Sequence, residues 1–209
     1  MPTAQQIDNV ITLRGSVDIV TEFFYFSINS ILYQRGIYPP ESFSRQAKYG
    51  LTMLVSQDDG LKSYLNSVVS QLEGWLTNGE LQRLVVVVTG TDSGDTLERW
   101  VFNVHNERPA LKDGSNAPVP CKSRKEISNE IQAIIRQITA SVTFLPLLGE
   151  PCAFDLLVYA SQEATVPTQW EESDPKYIQN SSEVRLRSFT TTVHKVDTMV
   201  AFKNDSDDL

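Results

Sequence analysis

Cysteine, histidine and basic charge are all scarce in these 209 residues, and each scarcity closes off a class of function. The only cysteines are Cys121 and Cys152, and the only histidines are His105 and His194. The thiols lack the paired spacing of a zinc site, and with no export signal in view they are expected to be reduced and structural. Neither histidine is tied to a serine or cysteine by a nucleophile motif, so an ordinary surface role is expected for both. No catalytic residue, metal ligand or cofactor is assigned. Lys plus Arg number 18 against 26 for Asp plus Glu, a net charge of −8. A nucleic-acid footprint needs a basic patch, so neither nucleic acid nor an anionic membrane is an expected partner. No apolar run approaches a membrane span, and Met1 to Asn9 is too polar for a secretory leader. Gly90 and Gly94 do not make a phosphate loop, because no Lys-Ser/Thr follows and "TGTDSGDT" leads into a strand rather than a helix. "EESD", from Glu171 to Asp174, reads as a solvated acidic turn.

What is present is strong periodicity. Val17, Val20, Phe24, Ile28 and Ile31 recur at helical spacing, Gly36 sits where a C-terminal cap belongs, and Pro39-Pro40 prevents continuation. "EFFYFSINSIL" is apolar nearly all round, so this helix is expected to be central and buried on most sides. A short strand, Leu51 to Val55, follows. Asp58-Asp59-Gly60 opens a second helix with Leu61, Leu65, Val68, Leu72 and Trp75 on one face, closed by Asn78-Gly79. "LQRLVVVVTG" reads as a strand buried on both faces, paired in a hairpin with "LERWVFNV". A polar loop runs from Asn106 to Pro120. Ser123 and Glu126 then form a capping box on a third helix, whose buried stripe is Ile127, Ile131, Ile134, Ile138 and Val142, with Ile135 and Phe144 off it. "CAFDLLVYA" is a further strand.

The chain then changes character. Ser161 to Glu183 shows little periodicity, and so long an excursion inside a compact domain is usually a lid or binding loop. Val166, Trp170 and Tyr177 are its candidate anchors. "RSFTTTVHKVDTMVAF" reads as β-structure from Arg187 to Phe202, with Phe189, Thr191 and Val193 on one parity and Val196, Thr198, Val200 and Phe202 on the other. The phase slips near His194 and Lys195, which requires a bulge or turn between two strand arms. The predicted class is α+β, a largely antiparallel sheet packed against three main helices. Residues 1–10 are expected to be flexible, 11–202 to form one domain, and 203–209 to be an acidic, disordered tail.

"ITLRGSVDIVTEFFYFSINSILYQRGIYP", "IIRQITASVTFLPLL", "WEES" and "EVRLRSFTTTVHKV" closely resemble the spindle-checkpoint HORMA proteins of the mitotic-arrest-deficient-two family, from about Ile11 to Phe202. The resemblance, and not the periodicity, implies a mechanism. Residues 161–202 would be a mobile safety belt. In an open state its terminal hairpin would cover the edge of the strand Ala153 to Ala160; in a closed state it would pair with Leu97 to Val104 instead. The vacated edge, with Phe154, Leu156, Leu157, Val158 and Tyr159, would accept a partner's extended peptide as an added strand. Val166, Trp170, Tyr177, Phe189, Val193 and Val196 would carry the belt. Arg136, Gln137 and Phe144 would form the contact between open and closed copies and with a HORMA-fold antagonist. The implied partners are the checkpoint's coiled-coil scaffold, mitotic arrest deficient one, the activator of the anaphase-promoting complex, a second copy, that antagonist and an AAA+ remodeller. The implied locations are nucleus, kinetochore and cytoplasm, with no enzymatic activity. A HORMA adaptor of translesion synthesis or the meiotic axis is the alternative.

Overall fold

A computed structural model describes residues 11–107 and 122–204. The expectations for residues 1–10, most of the 106–120 loop, Cys121 and the tail from residue 205 lie outside them. Helix α1 (Leu13–Gln34) starts where the Thr12 hydroxyl accepts from the Gly15 N–H at 3.0 Å. It ends at Arg35, followed by Gly36 at φ +65°, a left-handed conformation that glycine adopts without a Cβ clash. Strands β1 (Phe43–Lys48) and β2 (Leu51–Ser56) form a separate antiparallel hairpin. Helix α2 (Asp59–Asn78) is capped by Asp58, and Gly79 at φ +73° closes it. Strands β3 (Leu81–Gly90) and β4 (Thr96–Asn106) follow, then helix α3 (Arg124–Ala140) behind the full Ser123/Glu126 capping box. The chain ends in β5 (Cys152–Ala160), β6 (Ser181–Thr190) and β7 (His194–Lys203).

The main sheet runs β5-β3-β4-β7-β6, antiparallel throughout. All three helices contribute to the one large core on one face, where Phe23, Phe24, Leu65, Leu72, Trp100, Phe102, Ile131 and Ile134 meet. Phe23 lies edge-on to both Phe102 and Phe189. The opposite face, called here the outer face, carries a small cluster of Val85, Val87 and Val101, with Leu157, Tyr159 and Met199 against it. A buried ion pair ties α1 to β4. Arg35 Nε donates to Glu98 Oε1 at 2.7 Å, and Trp100 Nε1 donates to the other carboxylate oxygen at 3.0 Å. Two charges this deep are tolerated because they neutralise each other and their remaining valences are hydrogen-bonded.

Several expectations need correction. Strand β1 was not foreseen: "FSRQAK" is exposed over most of its length, so no apolar alternation marks it. Ile135 is buried along with the α3 stripe, whereas Val142 is 45% exposed, because the helix tightens into a short turn at Ser141–Thr143 and swings it outward. Terminal β-structure begins at Ser181, not Arg187. The phase slip near His194 is a turn, and a second slip lies upstream in β6. Thr191, Thr192 and Val193 form a tight turn, with Thr192 at φ +72° and Thr191 N–H donating to His194 O. A bulge between Arg185 and Ser188 then flips β6, so that Val184, Leu186 and Phe189 all face the helices. His105 is exposed and paired with Asp197 at 2.9 Å. His194 is not a surface residue: it is 1% exposed, with Nδ1 2.7 Å from the Ser16 hydroxyl.

Candidate functional site

The site begins with an unequal sheet. β3 pairs with β4 on one side and with β5 on the other, but among the described residues no strand pairs with the outer edge of β5. An edge of this kind offers a row of main-chain donors and acceptors. Alternation distributes its side chains. Phe154, Leu156 and Val158 join the helix-side core, while Leu157 and Tyr159 join the outer-face cluster. Phe154 lies against the rings of Tyr38 and Tyr64, so its end of the edge is aromatic on the helix side. Burial is the largest cause holding the Tyr64 hydroxyl above its ordinary pKa, and the Asp155 carboxylate adds to it.

The 161–180 segment leaves the end of β5 and passes outside this edge. Ser161 N–H donates to Glu80 O, and Trp75 Nε1 donates to Thr165 O at 3.2 Å. Trp170 then packs edge-on against Trp75 at 5.2 Å, on the helix side. Seven positions further on, Tyr177 lies over the Arg99 guanidinium at 4.9 Å, on the outer face. The segment therefore moves from one face of the sheet to the other around β5. Between it and the edge is a groove of about 590 Å³, lined by Trp75, Leu156, Leu157, Val158, Tyr159, Val166 and Trp170, with Glu171 and Glu172 at its rim.

The terminal hairpin is seated on β4, from Glu98↔Phe202 to Asn106↔His194. Phe189, Val196 and Val200 are buried in the core. Val184, Leu186 and Phe202 are partly buried against it, and polar ties add to the attachment. The Ser16 hydroxyl meets Thr191 Oγ1 at 2.5 Å as well as His194, and Thr190 Oγ1 donates to Glu107 at 2.6 Å. The Arg187 N–H donates to Gln137 Oε1 at 2.7 Å, and Lys203 pairs with Asp95 at 2.5 Å. Val193 sits in the turn, where its carbonyl accepts from Glu107 N–H at 2.9 Å.

On α3, Arg136 is exposed beside a shallow groove bounded by Tyr33, Leu51, Met53 and Thr139. Gln137 is half-buried through its bond to β6, and Phe144 is exposed beyond the end of the helix. The fold thus places Arg136 and Gln137 side by side, with Phe144 past the tightened turn. Cys152 carries a free thiol raised in pKa chiefly by burial, which leaves it in the unreactive protonated form at neutral pH. Among the described residues no cluster of His, Cys, Asp or Glu could hold a metal ion, and no helix is long and apolar enough to cross a membrane. Sequence reasoning missed Tyr38 and Tyr64 beside the β5 edge, and Arg99 beneath Tyr177. Arg99 gave no local signal: it shares its face of β4 with Leu97, Val101 and Asn103, where a polar residue fits ordinary alternation.

Residues 16–194 match the HORMA domain. The chain is 61% identical over 197 residues to the mitotic spindle assembly checkpoint protein MAD2A of Dictyostelium discoideum, covering 94% of this chain and 95% of that protein. A chain in the crystal structure of the mitotic checkpoint complex is 46% identical, with a TM-score of 0.82 over 91% of this chain and 99% of that one. The DNA polymerase zeta processivity subunit of Schizosaccharomyces pombe is more distant, 25% identical over 195 residues and 89% of each chain.

Proposed function

Since the chain belongs to the HORMA-domain family, in its MAD2 spindle-checkpoint branch, we propose that it acts by trapping an extended segment of a partner as a sixth strand on the free edge of β5, beneath the 161–180 belt. The observation that carries this reading is the pairing of the sheet. The terminal hairpin sits on β4, the outer edge of β5 pairs with no strand among the described residues, and the belt passes around that edge with a groove beneath it. Strand addition gives affinity through main-chain hydrogen bonds and specificity through alternate side-chain pockets. Here alternate side chains of the added strand would meet Phe154, Tyr38 and Tyr64 on one face, and Leu157 and Tyr159 on the other. Glu171 and Glu172 favour a basic residue where the segment leaves the groove.

On this reading the arrangement described is the closed one. In the open one the hairpin lies on the β5 edge itself, so capture and hairpin position are mutually exclusive. The partners are the coiled-coil checkpoint scaffold and the activator of the anaphase-promoting complex, and sequestering the latter delays anaphase. No enzymatic step is involved. Arg136, Gln137 and Phe144 form the contact with a second copy or with a HORMA-fold antagonist, and an AAA+ remodeller reopens the belt. The protein works in the nucleus, at kinetochores and in the cytoplasm. The adaptor roles of translesion synthesis and the meiotic axis fit less well, given 61% identity to a checkpoint protein against 25% to a polymerase subunit.

Truncation before Arg185 is the test. It removes β7, so the belt cannot close, and stable retention of a peptide matching the scaffold's binding segment should be lost. Unchanged peptide dissociation from the truncated chain would falsify the belt reading.

A further inference from the structure

We infer that Arg99 and Tyr177 form a clasp that holds the belt shut on the outer face of the sheet, and that this clasp governs how quickly a captured strand is released. The inference rests on the capture reading above. Arg99 stands in β4, on the same face as Val85, Val87 and Val101. It is 7% exposed, and its Nε and Nη2 have no hydrogen-bond partner among the described residues. A buried guanidinium in that condition is costly unless something compensates its charge. Carboxylates lie in the same cross-strand row, Asp155 beyond Val87 and Glu183 beyond Ala201, but each is two strands away. Neither pairs with it: among the described residues Arg99 is in no salt bridge. What Arg99 has instead is the face of the Tyr177 ring, at 4.9 Å. A weakly hydrated planar cation suits such a face.

Tyr177 is 69% exposed, so its ring contributes little to any core. Its contact is the cation beneath it. The belt is therefore attached on both sides of the groove, by Trp170 on Trp75 and by Tyr177 on Arg99. A strand lying between can leave sideways only when one attachment lets go. The Trp170 side is the stronger, because the buried Trp75 ring and its bond to Thr165 O hold the belt together. The Tyr177 side opens first, since release lets water reach the unpaired Arg99 nitrogens and so offsets part of the lost contact.

The full-length chain tests this with a fluorescein-labelled 12-residue peptide selected from a random display library on the wild-type protein. Its dissociation is followed after addition of excess unlabelled peptide. Tyr177→Ala should accelerate release about tenfold, within the range of a desolvated cation–π contact. Tyr177→Phe should stay within about twofold of wild type, because the ring face alone carries the contact. Arg99→Met should match Tyr177→Ala, and the double variant should be no faster than either single one, the mark of one shared interaction. If Tyr177→Ala releases peptide at the wild-type rate, or if the two substitutions multiply, the clasp is wrong. Should Arg99→Met fail to fold, the Tyr177→Ala and Tyr177→Phe pair still decides, since that side chain is largely exposed. A wild-type chain that holds peptide while Tyr177→Ala has no effect defeats only the clasp. Full retention by the chain truncated before Arg185 defeats the capture reading.

Discussion

The β3–β4 and β6–β7 hairpins adjoin each other in one sheet, yet they are held by different forces. In β3–β4, Leu84 to Val88 are fully buried and meet apolar partners on both faces. One end is locked by the Arg35–Glu98 pair. Its turn is clamped by Glu150, which accepts from the Asp92 and Ser93 N–H groups and the Ser93 hydroxyl. β6–β7 has Phe189, Val196 and Val200 in the core with Val184, Leu186 and Phe202 only partly buried against it, a bulge, and polar ties to Ser16, Glu107, Gln137 and Asp95. Polar ties exchange for water at about 1 kcal/mol each, whereas a lost valine core has no such substitute. The first hairpin is thus part of the scaffold, and the second is a segment that a few anchors keep in place.

The strongest test of that division is Glu98→Ala. It leaves Arg35 buried without its counter-charge, at a cost of about 3–5 kcal/mol. The urea midpoint should fall equally for every folded form of the chain. A loss confined to one form would make β4 part of the moving half.

Phe189→Ala should act differently. Removing a fully buried ring that packs against Phe23 costs about 3 kcal/mol. The free wild-type protein is expected to give two slowly exchanging conformers, separable by ion exchange at low temperature. Their amide signals should differ most from Ser161 to Phe202 and along β4 and β5, and the substitution should deplete the conformer described here. A single conformer in both proteins would erase the distinction between the hairpins.

Arg136→Glu should change stability by less than about 0.5 kcal/mol, because its side chain is exposed. It should nevertheless leave a monomer in sedimentation. Dimers of normal strength would remove Arg136 from the proposed contact.

The smallest effect is acid-induced. Hydrogen bonds from Ser93, with the Asp92 N–H, hold the Glu150 carboxyl below its ordinary pKa. A lowered carboxyl stabilises the fold above its ordinary pKa, and that contribution fades as pH falls through the folded value. In an NMR titration the Asp92 and Ser93 amides should move with a midpoint below roughly 4.3, the usual glutamate value.

The scaffold was legible because its residues repeat. The isoleucines of α3, the leucines of α2 and the valines of β3 each show a period that packing then uses. β1 was not legible, since Ser44 to Ala47 are all exposed and carry no pattern. His194 looked like a surface residue because no nucleophile motif ties it to a serine or cysteine. Its burial depends on Ser16, which is 178 positions away in the chain and invisible to any local rule. The β5 edge and Trp170 were legible as an apolar strand and an aromatic within a patternless stretch. Arg99 was not, because its ring partner comes from another part of the chain.

The passage of residues 161–180 around the outside of β5 also has a mechanical side. A segment gripped there and pulled along its own length is loaded in shear, so all its main-chain bonds to β5 resist together instead of peeling one after another. With folded bulk at both ends, such a segment cannot slide out lengthwise. On the proposed capture, tension on it would be borne by the covalent chain of the loop and the seat of the β6–β7 hairpin, and the attachment would behave as a threaded link whose strength is set by the buckle rather than by the grip.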